Sequence, residues 1–273
     1  MSRLSLKNVS KSFGGLVAVD DVSFDIVERG VTAIIGPNGA GKTTLFSLIS
    51  GFLRPSLGKV VFEGEDITGL APQLVAKRGV VRTFQLVKLF AELSALDNVK
   101  VGRHLHASGG LVAALLRPPA ARREEREVEA KARELLAFVG LVAQAEAPAT
   151  SLGYGQQRLL EMARALAAEP RLLLLDEPAA GLDAAESAAL SRLIRSVAEG
   201  GTTVLLIEHD MALVMNTADH VIVVDFGRKI AEGSPEAVRR DPAVIAAYLG
   251  SAHQARAGEQ GVQAARVAEA GRG

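Results

Sequence analysis

The chain has no cysteine. Disulfides, thiolate metal sites and a cysteine nucleophile are thereby excluded. It has no tryptophan, two tyrosines and nine phenylalanines among 273 residues, too few aromatics for a base-stacking platform. Charge of one sign is lacking too. Lys plus Arg and Asp plus Glu number 31 each, so there is no bulk basic field and no nucleic-acid partner is expected. The five histidines are scattered, and none belongs to an H-E-x-x-H pair. No apolar N-terminal stretch resembles a secretion signal. The apolar runs Leu111–Leu116 and Val204–Ile207 fall far short of the ~20 residues needed to cross a bilayer. A soluble protein is expected, with any membrane association made through a partner.

What is present is concentrated between Val31 and Gly51. Val31–Ile35 is short, apolar and β-branched, which predicts a buried strand. Gly36-Pro37-Asn38-Gly39-Ala40-Gly41-Lys42-Thr43-Thr44 fits G-x-x-x-x-G-K-[ST], a phosphate-binding P-loop. Leu45, Leu48 and Ile49 then recur at helical spacing, and Gly51 suits a helix stop. Glycines let the backbone bend tightly and bring its N–H groups to phosphate oxygens. The new helix adds its positive end. Lys42 supplies a point charge for the β- and γ-phosphates, and the Thr43 hydroxyl suits Mg²⁺ beside them. At ordinary residue usage chance gives roughly one such match per hundred chains of this length, and the strand and helix around it lower that further.

Leu4–Val9 and Val22–Val27 alternate apolar and polar and read as half-exposed strands, with Lys11–Gly15 as a turn between them. Phe13 in that turn either stacks on adenine or packs in the core. Lys59–Glu63 reads as a further strand. From Ala91 to Leu141 the character changes: His104, His106, the Leu111–Leu116 run and a charged helix from about Arg122 to Val139. In that helix Glu127–Lys131 and Glu129–Arg133 are i,i+4 pairs, while Val128, Leu135 and Val139 share a face. This is the pattern of a helical insertion in an α/β core. Leu111–Leu116 reads as a helix packed within it rather than a membrane-surface segment. Residues 251–273, rich in Ala and Gly without aromatics, read as a flexible tail.

Leu172–Leu175 predicts a strand buried on both faces, followed by Asp176-Glu177. Thr203–Ile207 is another, ending in Glu208-His209-Asp210, and His220–Asp225 one more. Ligands of open parallel sheets sit at the C-terminal strand ends. If these strands are neighbours, the P-loop, Asp176, Glu177 and His209 converge. Asp176 would then order Mg²⁺, Glu177 would polarise a water for attack on the γ-phosphate, and His209 would orient both.

With these residues the chain resembles the ATP-binding subunits of ABC transporters over roughly Leu4 to Gly250. The motifs occur in the family order: the P-loop, Gln85 of a Q-loop, the signature Leu152–Gln156, the Walker B run 172–177, the D-loop Gly181-Leu182-Asp183 and the switch His209. Within the family it looks most like the LivG-type subunit of branched-chain amino acid uptake systems. That likeness rests on Arg82-Thr83-Phe84-Gln85, the 103–120 insertion, Tyr154–Arg158, Glu208–Met211 and Ala247–Gly250. The resemblance implies an α/β fold: a P-loop NTPase core with a parallel sheet, an antiparallel β subdomain and an inserted α-helical subdomain. It implies an ATPase domain over 1–250, its core at 1–90 and 166–250 and its helical subdomain at 91–165. It also implies a head-to-tail dimer with ATP and Mg²⁺ between one subunit's P-loop and the other's Gly153, Tyr154, Gly155 and Gln156, with Asp183 nearby. Gln85 would contact Mg²⁺ or the attacking water and sense a membrane permease docked beside the insertion, on the cytoplasmic face. A solute-binding protein would act through that permease.

Gly153 and Tyr154 stand where the family pattern has Ser and Gly. This takes away a hydroxyl contact to the γ-phosphate and leaves backbone donors. Other ABC systems, for urea or amide uptake or lipopolysaccharide export, are the alternative reading. A DNA- or ribosome-directed ABC ATPase is disfavoured by the single cassette without a long coiled coil.

Overall fold

The computed structural model describes residues 2–83, 88–103 and 119–249, the last with side chains from 123 onward. Phe84, Gln85, His104, His106, the Leu111–Leu116 run and the 251–273 segment lie outside these residues.

Two sheets share one core. The first contains β1 (Ser2–Phe13), β2 (Leu16–Val27), β4 (Leu57–Phe62) and β5 (Glu65–Asp66), antiparallel in the order β2-β1-β4-β5. The turn between β1 and β2 shrinks from the expected Lys11–Gly15 to Gly14-Gly15, because Lys11, Ser12 and Phe13 pair with Val19, Val17 and Leu16. The second sheet has the order β10-β9-β3-β8-β7-β6. It is built from β3 (Val31–Ile35), β6 (Val80–Arg82), β7 (Leu172–Asp176), β8 (Thr203–Ile207), β9 (His220–Asp225) and β10 (Arg228–Gly233). All neighbours are parallel except the edge pair β9–β10.

The apolar strands are buried for a simple reason: each presents both faces to other layers. Leu172 and Leu174 join Ile34, Leu205, Ile207 and the antiparallel sheet's Leu4, Leu6 and Phe24 in one cluster, together with Leu45, Phe46 and Ile49 of helix α1 (Lys42–Ile49). Leu173 and Leu175 face the other way, onto Leu190, Ile194 and Val197. Each fully buried leucine contributes roughly 1.5–3 kcal/mol.

A third cluster gathers the helices. Helices α2 (Pro72–Lys77) and α3 (Ala95–Gly102) precede the charged helix α4, which runs Pro119–Phe138. Helix α5 (Tyr154–Ala167) follows. Leu96, Leu136, Val139, Leu160 and Ala163 pack together there, with Leu135 at the margin. Arg133 pairs with Glu129 at 3.0 Å, but Lys131 pairs with Glu134 and Glu127 with Arg123, so the expected Glu127–Lys131 pair does not form. Helix α5 serves two clusters: Leu160 and Ala163 face the helices, Met162 and Ala165 the sheet. Among the described residues the α-helices that follow are α6 (Ala184–Glu199), α7 (Met211–Thr217) and α8 (Pro235–Arg239). Among the described residues no helix is long and apolar enough to cross a membrane.

Candidate nucleotide site

Strand β3 ends at Ile35, and the chain turns through Gly36–Gly41 into α1. Gly41 caps that helix at φ +97, where a Cβ would run into the Ala18 carbonyl oxygen. Gly36 likewise touches the Val224 carbonyl of β9. Only glycine fits either place. No side chain caps α1 and no acidic residue sits in its first turn, so its N-terminal amides and positive end remain for an anion. The Lys42 ammonium lies inside the loop, donating to the carbonyls of Gly36 at 2.7 Å and Pro37 at 2.9 Å. Burial pulls its pKa below the ordinary lysine value, and the carboxylates of Glu177 and Asp176 oppose that shift. Thr43 is exposed at the helix start and Thr44 half-buried.

Strands β3, β8 and β7 are neighbours, so their C-terminal ends lie side by side. Asp176 ends β7, and its Oδ2 accepts from Arg82 Nη2 at 2.7 Å, with side-chain exposures of 4% and 6%. Arg82 also donates to the hydroxyls of Ser47 on α1 and Ser50 just past its end, and its guanidinium lies over the Phe46 and Phe52 rings. Glu177 follows at φ +47, its N–H bonded to Ile207 O at the end of β8. His209 Nδ1 lies 3.8 Å from Glu177 Oε2 and also 3.8 Å from Glu208 Oε2. The structure thus brings Lys42, Asp176, Glu177 and His209 together at the C-terminal ends of neighbouring interior strands. Gln85, expected here as a metal or water contact, is outside the described residues.

The other expected contacts lie elsewhere in the single chain. Phe13 is 45% exposed under the Lys11 ammonium, 5.1 Å from the ring centre, which removes the core alternative. It ends the hairpin whose Ala18 touches Gly41. Gly153 caps α5, and the Gln156 side chain folds back to accept from its N–H at 3.1 Å. The Tyr154 hydroxyl accepts from Arg158 Nη2 at 2.8 Å, and its ring sits so close to Gly181 that a Cβ there would be 2.9 Å from Cε1. Gly155 abuts the Glu186 carboxylate. Asp183, expected as a nucleotide contact, spends its carboxylate on capping α6, accepting from Ala185 N and Glu186 N at 2.8 Å each. Its position just before a helix explains this.

Sequence reasoning gave no role to Arg82 or Glu208 as individual residues. Each is a lone charge beside an apolar strand, and only the folded sheet shows it buried. The signal available was the placement itself, since a charge ending a buried strand needs a partner.

A glycine loop opening a helix, with a lysine inside it and carboxylates at adjacent parallel strand ends, defines a P-loop nucleoside triphosphatase. The family model "ABC transporter" matches residues 19–180, and "Branched-chain amino acid ATP-binding cassette transporter" matches 228–254. The high-affinity branched-chain amino acid transport ATP-binding protein BraF of Pseudomonas aeruginosa is 47% identical over 92% of this chain and all of its own length. LivG of Escherichia coli, of the same description, is 43% identical over 91% of this chain and 98% of its own. The ADP conformation of MJ1267, an ATP-binding cassette of an ABC transporter, superposes with TM-score 0.80 at 36% identity, covering 92% of this chain and 99% of that one. The dimeric MJ0796 cassette gives 0.72 at 26% identity over 85% and 98%. The chain belongs to the ABC transporter family of ATP-binding subunits, and it is an ATP hydrolase of that class.

Proposed function

We propose that this ATPase drives uptake of branched-chain amino acids, with Glu177 as the base of the hydrolytic step. The observation that carries the mechanism is the convergence of Lys42, Asp176, Glu177 and His209 at the ends of β3, β7 and β8. Amides of Gly39–Thr43 and the Lys42 ammonium would hold the phosphates once Lys42 leaves its own loop carbonyls. Glu177 accepts a proton from water as the water oxygen bonds the γ-phosphorus and the bridging oxygen leaves with ADP. His209 holds the water and γ-phosphate in line.

Among the described residues no cluster of three or more His, Asp or Glu forms a closed metal cage. The donor set instead suits a hydrated Mg²⁺ shared with phosphates. Thr43, Asp176 and Gln85 would hold it, and it would neutralise charge on the phosphate oxygens. The Asp176 carboxylate, at the strand end beside Lys42, is the hard oxygen donor such an ion takes.

Within the signature Tyr154 lies against Gly181 and Gly155 against Glu186 of the same chain, and the dimeric MJ0796 cassette supports a second subunit, placed head to tail so that its signature completes the site. The permease is assigned to a groove of about 340 Å³ lined by Val81, Thr83, Lys88, Phe90, Val101 and Arg164. Docking there puts the subunit on the cytoplasmic face of the membrane, with a solute-binding protein acting through the permease. The assignment of solute follows from the relatives' names and from the C-terminal family match. The test is reconstitution in vesicles with permease subunits and a solute-binding protein encoded in the same genome. ATP-dependent uptake of leucine, isoleucine or valine is expected. Uptake of urea or amides alone, or none of these, refutes it.

A further inference from the structure

Glu208 is the first residue after β8 and is fully buried. Taking a carboxyl group out of water costs several kcal/mol, so its partners must compensate. Three of these are backbone amides. Oε1 accepts from Ala179 N at 2.9 Å, and Oε2 accepts from His209 N at 3.1 Å and Asp210 N at 3.4 Å. The first donor belongs to the turn after Glu177, and the other two belong to the loop that carries His209. That turn is closed by its own bonds, Ala180 N to Glu177 O and Leu182 N to Ala179 O. The loop is closed by Asp210, whose carboxylate caps α7 at Ala212 N.

We propose that Glu208 is a positioning residue that fixes the turn after Glu177 and the loop of His209 as one unit, so that base and switch histidine keep their mutual geometry. The inference rests on the roles given above to Glu177 and His209. Three observations support it. The ladder between β7 and β8 already continues one step past the strands, from Glu177 N to Ile207 O at 3.0 Å, and Glu208 adds a second staple across the same gap. The His209 ring nitrogen stands 3.8 Å from both carboxylates, Glu177 and Glu208. Burial also pushes the Glu208 carboxyl up from its ordinary value against the three amides, a cost that an apolar residue at this place would avoid. A carboxylate is the side chain that meets the need. Both its oxygens accept, whereas glutamine at the same volume presents a donor to one of the two sets of amides.

The experiment uses the full-length chain and Glu208→Gln. Hydrogen exchange is followed in peptides covering Glu177–Asp183 and Glu208–Leu213, without nucleotide. Exchange about tenfold faster in both, with strands β7 and β8 as protected as in the parent, is expected. Steady-state Mg-ATP hydrolysis should show kcat lower by about 10- to 100-fold, with KM within about twofold. In a His209→Ala background the same change should lower kcat by less than about twofold, because no switch histidine is then left for Glu208 to hold in register with the base. Exchange that rises in neither peptide, or in one alone, overturns the proposal. So do losses that multiply in the double variant. Loss of strand protection in both Glu208→Gln and Glu208→Ala also overturns it, since the residue would then hold the sheet rather than two loops. Parent-like turnover in Glu177→Gln and His209→Ala singly would instead refute the roles assigned to those residues, and the exchange result would still decide whether Glu208 joins the loops.

Discussion

Replacing Arg82 by methionine should destabilise the chain strongly, and the structure supplies the size. The guanidinium and the Asp176 carboxylate are both almost wholly buried and 2.7 Å apart. Removing one partner of such a pair leaves an uncompensated charge, at about 3–5 kcal/mol. Lys42 also faces Asp176 and offsets part of this, so the expected loss is near the lower end, about 3 kcal/mol. For a chain of this size each kcal/mol moves Tm by ~2–4 °C, which predicts a fall of roughly 6–12 °C. Asp176→Asn should cost less, about 1–2 kcal/mol, because an amide oxygen can still accept from Arg82 and the Ser47 and Ser50 hydroxyls remain. The Arg82→Met, Asp176→Asn double variant removes both charges and should be more stable than the sum of the single losses by at least about 1 kcal/mol. Thermal denaturation without nucleotide, at low and high salt, measures all three. The pair is shielded from solvent ions, so the losses should hardly change with salt. An Arg82→Met variant that melts within about 2 °C of the parent would refute the reasoning, and so would strictly additive losses.

Glu177→Gln should keep ATP affinity, since Lys42, Thr43 and Asp176 are untouched, but slow turnover by about 10²-fold or more; equilibrium binding and steady-state hydrolysis check this, and parent-rate hydrolysis refutes the base assignment. Gly155→Asp should nearly abolish hydrolysis in the assembled transporter, because its side chain meets the Glu186 carboxylate and adds negative charge beside phosphate. Gly153→Ser should stay within a few-fold of the parent in the same assay, as the position already starts a helix. Phe90→Ala, which empties the groove beside Arg164, should leave ATP affinity unchanged while reducing permease binding and substrate-stimulated ATPase in reconstituted vesicles.

The parts of the fold that could be read from sequence are those where one residue type repeats. Leu172–Leu175 has no polar position to hide, so it can only be a strand covered on both faces. The P-loop is legible because each glycine answers a local geometric demand. The edges were less so. Strand β10 carries Arg228, Lys229 and Glu232, since an edge strand tolerates charge, and nothing in its composition marks it as sheet. In α4 the Glu129–Arg133 pair forms, but Glu127–Lys131 gives way because Arg123 and Glu134 offer the same two residues partners four and three positions away. Arg82, Glu208 and the surroundings of Tyr154 were opaque for a different reason. Their environments come from residues far away in sequence: Asp176, Ala179 and Gly181 respectively.

The strand order has a consequence for how the protein is made. Strand β3, which feeds the P-loop, pairs with β8 and β9. Its first partner residue, Val204, follows Val31 by roughly 170 positions. At ~5–20 residues per second a ribosome needs on the order of ten to thirty seconds to cover that distance. Throughout that interval the nascent β3 has neither neighbour, and the antiparallel hairpin of β1 and β2 is complete beside it. Competence to hold nucleotide therefore arrives late and all at once, when β8 and β9 emerge and zip on either side. Cellular ATP then acts as a seal on a finished sheet rather than as a nucleus for it. Synthesis that stalls before Thr203 leaves an apolar strand with two open edges, which is the form a chaperone or protease would meet.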